Sequence, residues 1–229
     1  MIIESVPSIF QPKYTSNYPS YSSGKNMEEI FYEYFLKEQP NIHTNLVYLP
    51  IFWTSYYVIN GYGEHIEALY NWLEKLDKTK KYFTIVQYAS GIYIKKDISN
   101  LIVYSAGGGG LNYKSNSVKI ENFHNLTRHI FYGNTADYTI PLICLPTFPC
   151  LDIEKNIFCS FMGRFDTHKC RIDMHKSLKS NNKFIFYDSV GYEEYKKILN
   201  QSIFTLAPRG YGYTSFRIYE AILAESIPI

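Results

Sequence analysis

Arginine, hydroxyl and carboxylate side chains crowd into one short stretch near the end of the chain, Pro208-Arg209-Gly210-Tyr211-Gly212-Tyr213-Thr214-Ser215-Phe216-Arg217-Ile218-Tyr219-Glu220. Their order suits anion binding. Ile203 to Ala207 is an apolar run of strand length, and Pro208 with two nearby glycines breaks it. Thr214 and Ser215 then offer hydroxyl caps to a helix whose expected buried stripe is Phe216, Tyr219, Ile222 and Leu223. A helix start leaves backbone N–H groups unpaired with the positive end of the dipole behind them, and Arg209 and Gly210 lie in the loop that faces it. Arg217 and Glu220 share a different face of the helix, where the plainer alternative is a surface ion pair worth little.

The elements before this stretch repeat the strand-loop-helix pattern. Phe158 to Met162 reads as a strand followed at once by Gly163-Arg164; His168 to Lys179 reads as a helix, Phe184 to Tyr187 as a strand and Glu193 to Asn200 as a helix. Parallel strands joined by helices collect their loops at one sheet edge, where ligands bind outside the carboxyl ends of the strands. Gly163-Arg164 and Pro208-Arg209-Gly210 both fall at that edge. Two arginines from separate loops, facing a capped helix start, suit a diphosphate, since planar guanidiniums grip phosphate oxygens in pairs.

The string running from Pro208-Arg209-Gly210 through Thr214-Ser215, Arg217 and Glu220-Ala221-Ile222 into Ser226-Ile227-Pro228-Ile229 resembles the exostosin family of sugar-nucleotide glycosyltransferases. The likeness is dense over this last stretch and thins upstream. It implies that Glu220 accepts hydrogen bonds from the ribose hydroxyls of the donor, because a carboxylate can take both. It also implies a glycine at a strand end followed by an arginine, which Gly163 with Arg171 fits and which Arg164 could fill instead. Retaining two-Rossmann enzymes often carry a second glutamate eight positions before the first; here that position is Gly212, in keeping with an inverting family member.

Inverting transfer needs a general base for the acceptor hydroxyl. Gly61-Tyr62-Gly63-Glu64-His65 looks like the glycine-acid-histidine motif of plant exostosin-like enzymes, which makes Glu64 and His65 the candidates. The plainer reading of Glu64 is an acidic residue favoured at the start of its own helix, expected over Glu64 to Leu76 with Ile66, Leu69, Leu73 and Leu76 on one stripe. Phe83-Thr84-Ile85-Val86-Gln87-Tyr88 also resembles a family strand, but Ala89-Ser90 stands where relatives often carry acidic residues. That departure supports a second reading, a module that binds nucleotide sugars or glycans without turnover.

Upstream, a helix is expected over Met27 to Lys37, capped by Asn26 and packing through Ile30, Tyr34 and Phe35. Strands are expected at Leu46 to Pro50, Tyr82 to Val86, Leu101 to Tyr104 and Leu142 to Leu145, and loops at Gln11 to Lys25 and at the glycine run Gly107 to Gly110. The 229 residues, 46% hydrophobic and 17% aromatic, suffice for two cores, and a net charge of +2 speaks against nucleic-acid partners. The four cysteines, Cys144, Cys150, Cys159 and Cys170, show no metal or disulfide spacing, and His168 and His175 are too far apart along a helix for one ion. No Asp-x-Asp motif occurs, so the expectation is a metal-independent enzyme without a cofactor, its nucleotide-sugar donor being a co-substrate and its acceptor a glycan or other hydroxyl compound. With no apolar run of about 18 residues and no signal-peptide pattern, the expected location is cytoplasmic, with no membrane span.

Together these readings predict an α/β protein of two facing Rossmann-like domains in the GT-B manner. Residues 1–150 form the acceptor-side domain and 151–229 the nucleotide-sugar domain. The second is expected to be incomplete, a fragment of a longer protein, with Ile203, Leu206 and Phe216 partly uncovered.

Overall fold

The computed structural model describes residues 2–13, 25–38, 45–89, 91–95, 98–112, 116–123, 126–132, 136–143 and 152–229. The chain divides into two compact units, Met1–Leu142 and Ile143–Ile229. Both are α/β and built on parallel sheets.

In the first unit, β1 (Ile2–Ile3), β2 (Leu46–Tyr48), β3 (Lys81–Val86), β5 (Leu101–Ser105) and β9 (Tyr138–Thr139) form a parallel sheet in that order. Helices α1 (Met27–Glu38), α2 (Trp53–Ile59) and α3 (Glu67–Leu73) connect its early strands. A short parallel pair, β4 (Ile92–Tyr93) with β6 (Leu111–Asn112), and an antiparallel hairpin, β7 (Asn116–Phe123) with β8 (Leu126–Tyr132), complete it. Side chains alternate across a strand, so Val47, Tyr82, Val86 and Val103 pack with Trp53, Tyr57, Leu69 and Leu73 of the helices. On the other face the Tyr48 ring meets Phe31 and Phe35 of α1 and stacks on Phe83. The buried Trp53 keeps its polar atom satisfied by donating to Thr84 Oγ1 at 2.6 Å, and Thr84 donates on to the Leu49 carbonyl.

Several expectations for this unit need correction. The helix read over Glu64 to Leu76 is only Glu67–Leu73, because Gly61, Tyr62 and Gly63 all take positive φ and Ile66 leaves helical geometry. Glu67, not Glu64, is therefore the acidic residue of its first turn. Its stripe is nonetheless buried as read, from Ile66 to Leu76. In α1 the inward residues are Met27, Glu28, Glu29 and Phe35, while Tyr34 is exposed. Helix α2 and the β7–β8 hairpin were not anticipated. Leu142 and Ile143 are not in a strand, and Cys144, Leu145, Cys150 and residues 14–24 lie outside the described residues. The glycine run is tightly packed at its start, since a Cβ on Gly107 would meet Ala89 Cα at 2.6 Å.

The inward carboxylates of α1 join two helix starts to the end of β3. Glu29 Oε2 accepts from the Asn26 amide, the reciprocal bond of a capping box, and its Oε1 accepts from Ser55 Oγ. Glu28 Oε1 accepts from the Thr54 amide and hydroxyl and from the Gln87 amide, at 3.2, 2.7 and 3.0 Å. Glu28 Oε2 is buried without a partner.

In the second unit β10 (Ile157–Met162), β11 (Phe184–Tyr187), β12 (Ser202–Thr205) and β13 (Ile227–Pro228) form a parallel sheet ordered β11-β10-β12-β13. Helices α4 (Lys169–Leu178), α5 (Tyr192–Gln201) and α6 (Phe216–Leu223) link them in turn. Cys159, Phe161 and Leu206 pack with Phe165, Met174 and Phe186 in one cluster, and Met162, Leu199, Ala221 and Ala224 in another. Buried hydroxyls pair off, Ser160 with Ser202 and Thr205 with Ser226, each at 2.7 Å. The last strand read from sequence begins one residue earlier and ends at Thr205. Of the residues expected to be uncovered, Leu206 is buried and Ile203 is exposed.

The buried pair at the start of α1 makes stability depend on pH. Burial pushes the Glu28 carboxyl up to about 7 against the hydrogen bonds from Gln87 and Thr54, and Glu29 is also raised by burial. The folded state then holds the proton more tightly than the unfolded chain. The stability this contributes is complete below pH about 4.5 and is lost as pH rises towards about 7. Urea midpoints should fall as pH is raised across this window, and in Glu28→Gln the fall should be smaller; an identical pH dependence in the two proteins would rule this out.

Candidate functional site

The second sheet has a switch point. From β10 the chain adds β11 on one side, then returns to add β12 on the other, and it is at such a point, outside the carboxyl ends of the strands, that open α/β sheets form a crevice. Gly163 and Arg164 follow β10, and Pro208, Arg209 and Gly210 follow β12. The start of α6 opens beside them.

Arg171, buried in the first turn of α4, ties the two loops together. Its Nε donates to the Arg209 carbonyl at 2.9 Å, Nη1 to Arg164 at 3.0 Å and Nη2 to Pro208 at 3.1 Å. The guanidinium lies over the Phe161 ring. Gly210 is small because Arg171 is close: a Cβ there would meet Nη2 at 3.0 Å. Arg217 reaches the same ring from α6, 4.7 Å from its centroid, and its Nη2 donates to the Met162 carbonyl. A Cβ on Gly163, whose φ is +143°, would stand 2.5 Å from that Nη2, so both conformation and space require glycine.

These arginines are not equivalent. Arg164 is exposed and forks onto Asp166. Arg209 lies over the Tyr213 ring at 4.2 Å, with its Nε buried and lacking a hydrogen-bond partner. Arg217 Nε and Nη1 are likewise buried and unpartnered. Cationic N–H groups left unpaired out of water are costly, so they mark a place shaped for an acceptor from elsewhere. The local field agrees: His168 is held below its usual range first by burial and then by the charges of Arg209 and Arg171. Its Nδ1 caps α4 by accepting from the Cys170 amide, while His175 stacks on Phe165, so the two histidines serve separate structural ends.

Ser215 is the cap of α6, its Oγ accepting from the Arg217 amide at 3.3 Å; Thr214 precedes the cap and is partly buried. The inward face of α6 differs from the one read in sequence. Ile222 is 57% exposed and Leu223 also faces outwards, whereas Glu220, Ala221 and Ala224 are buried. Positions 217, 220, 221 and 224 form one helical stripe, with two alanines against the sheet and the charged pair at the ligand edge. Glu220 is therefore no member of a surface ion pair. Only 4% exposed, it accepts a 2.5 Å hydrogen bond from the Tyr195 hydroxyl of α5. Burial and then the Glu220 charge hold the Tyr195 hydroxyl well above its usual range, so it stays a donor.

Gly163, Arg171, Arg209, Gly210, Ser215 and Arg217 thus meet around one crevice, with Glu220 on the stripe of Arg217. Glu64 and His65 belong to the first unit, where both are exposed on the turn after Gly63. Sequence reasoning missed Tyr195. Its spacing from Ile198 and Leu199 puts it on the inward stripe of α5, and a polar tip there needs a partner.

The second unit is thus α/β with parallel strands, consistent with a Rossmann-like fold, and arginines stand beside a capped helix start at its sheet switch point. The family model of the Exostosin GT47 domain matches residues 117–229. That match, over the second half of the chain, supports an exostosin-like glycosyltransferase. No curated protein matches the chain.

Arg171 holds two loops through three carbonyls, a geometry that lysine cannot reproduce. Arg171→Lys should lower the unfolding free energy by about 2–4 kcal/mol. Urea denaturation followed by tryptophan-independent circular dichroism checks this, and a loss below about 0.5 kcal/mol would show that the loops hold without the clamp.

Proposed function

We propose that the protein transfers a sugar from a nucleoside diphosphate sugar to a hydroxyl acceptor on a glycan, with inversion at the anomeric carbon. The observation that carries this reading is the set of buried, unpartnered guanidinium N–H groups on Arg209 and Arg217 beside the start of α6. Their number and placement suit the diphosphate, whose charge grows as the sugar leaves. Arg209 and Arg217 bind its oxygens, with amides at the start of α6 beside them. Arg171 shapes the loops that carry Arg209. Gly163 and Gly210 let the guanidiniums come close, and Arg164 supplies positive charge at the rim.

Glu220 accepts from the ribose of the donor in this reading. The first unit serves the acceptor, whose hydroxyl loses its proton to Glu64 or His65 as its oxygen attacks the anomeric carbon. The bond to the diphosphate oxygen breaks on the opposite side, and the departing charge rests on the arginines. Because cationic side chains carry that charge, the reaction does not call for a metal ion, and transfer should persist in the presence of a chelator.

The test is to incubate purified protein with a panel of nucleotide sugars and follow release of nucleoside diphosphate and the configuration of the sugar. Release with inverted configuration is expected. Binding without release from any donor would instead favour the non-catalytic module suggested by Ala89 and Ser90. Arg209→Ala should weaken nucleoside diphosphate binding by roughly 1–3 kcal/mol, and Arg209→Lys should recover little of it. Calorimetry showing unchanged affinity in a folded Arg209→Ala protein would remove Arg209 from the site.

A further inference from the structure

We infer that Tyr195 is a positioning residue for nucleoside recognition, presenting Glu220 to a ribose hydroxyl. This rests on the reading of Glu220 as the ribose contact and adds a residue from a different helix to that site.

A glutamate has three rotatable side-chain bonds, so a carboxylate that is to discriminate hydroxyls must be held in one orientation before the ligand arrives. On α6, Glu220 lies on the buried stripe beside Ala221, which has no polar atom to hold a carboxylate. The restraint comes across the interface from α5. The Tyr195 ring is attached to a helix whose inward residues Ile198 and Leu199 are buried, and its hydroxyl reaches Glu220 Oε2 at 2.5 Å. Tyrosine suits this task because its ring is rigid and its hydroxyl stands at a fixed distance from the backbone. The hydroxyl keeps its proton, since burial and the neighbouring carboxylate oppose ionisation more than the nearby Arg217 guanidinium favours it, so the direction of the hydrogen bond is defined. In this reading Oε2 is engaged by Tyr195 and Oε1 is the oxygen offered to the ribose.

The arrangement predicts a selective defect. Loss of the Tyr195 hydroxyl should weaken recognition of ribose more than recognition of the diphosphate, which falls to Arg209 and to Arg217, the latter itself beside the Tyr195 hydroxyl. Calorimetry would use UDP and GDP, their 2′-deoxy and 3′-deoxy counterparts, and inorganic pyrophosphate. For the wild type, at least one ribonucleotide should bind roughly tenfold more tightly than a deoxy counterpart, the effect of one charge-assisted hydrogen bond. In Tyr195→Phe this preference should shrink to about twofold or less while pyrophosphate binding changes by a smaller factor than the ribose preference does. Glu220→Gln should lose the preference too, and the double variant should lose no more than Glu220→Gln alone, because Tyr195 acts through Glu220.

Glu220→Asp guards against a Tyr195→Phe protein that does not fold. It leaves Tyr195 intact but withdraws the carboxylate by one methylene, and it should lose the preference as well. Full ribose preference in Tyr195→Phe or in Glu220→Asp, with the preference lost in Glu220→Gln, would overturn the role of Tyr195 and leave the ribose contact standing. A wild type with no ribose preference, or one that binds pyrophosphate as tightly as either ribonucleotide, would overturn the ribose contact and the inference with it.

Discussion

The second unit depends on how two guanidinium groups are kept at the switch point of a small parallel sheet. Arg171 and Arg217 approach the Phe161 ring from different helices, and each donates to carbonyls at the strand ends. A buried charge needs such partners, and the strand ends supply them because their carbonyls point out of a sheet that has stopped pairing. The consequence is a crevice whose walls are held by cations, so its electrostatic sign comes from the same contacts that shape it. Gly163 and Gly210 follow from this constraint, since any side chain at either would press on a guanidinium.

The two arginines divide the work. Three of the Arg171 nitrogens are taken up in holding the loops after β10 and β12, so it acts as structure. Arg217 Nη2 donates to the Met162 carbonyl and the guanidinium lies within reach of the Tyr195 hydroxyl, so it is less fully occupied by loop carbonyls than Arg171. Its place on α6 explains the unusual stripe of that helix. Alanines 221 and 224 let the helix lie close to the sheet, and this closeness carries Arg217 and Glu220 into the crevice. Large residues at the alanine positions would lift the helix and withdraw both charges.

Much of this was legible in the sequence because the second half has short apolar runs separated by strong breakers. Phe184–Tyr187 is a strand as read, and the ends of α4 and α5 fall within a residue or two of expectation. The face of α6 was not legible. Burial was assigned to its largest apolar residues, yet at the ligand edge small and charged residues face inwards, where function overrides hydrophobic sorting. The choice between Arg164 and Arg171 was also hidden, because it turns on which guanidinium points at backbone carbonyls and which at Asp166. In the first half, Gly61 and Gly63 announce a turn, but only the positive φ of Tyr62 between them makes that turn shorten the following helix. Helix α2 starts with Trp53 and holds two adjacent tyrosines, a composition as suited to a buried strand as to a helix.

Helix starts meet different side chains at the strand ends of the two units. In the first unit the starts of α1 and α2 meet the end of β3, a setting in which helix dipoles would favour an anion. The protein fills that place with its own carboxyl groups, whose protons burial holds more tightly than in the unfolded chain. Glu29 takes the Asn26 amide and Glu28 takes the amides of Thr54 and Gln87, so the donors that could grip a phosphate are already engaged. A ligand anion there would also meet two acidic groups in an enclosed space. In the second unit the start of α6 is capped by the neutral Ser215 hydroxyl, and the charges around the crevice are guanidiniums with unpartnered N–H groups. Two sheets of one class thus differ in what meets their helix starts: among the described residues Glu28 and Glu29 engage the amides in the first unit, and guanidiniums stand beside the start of α6 in the second.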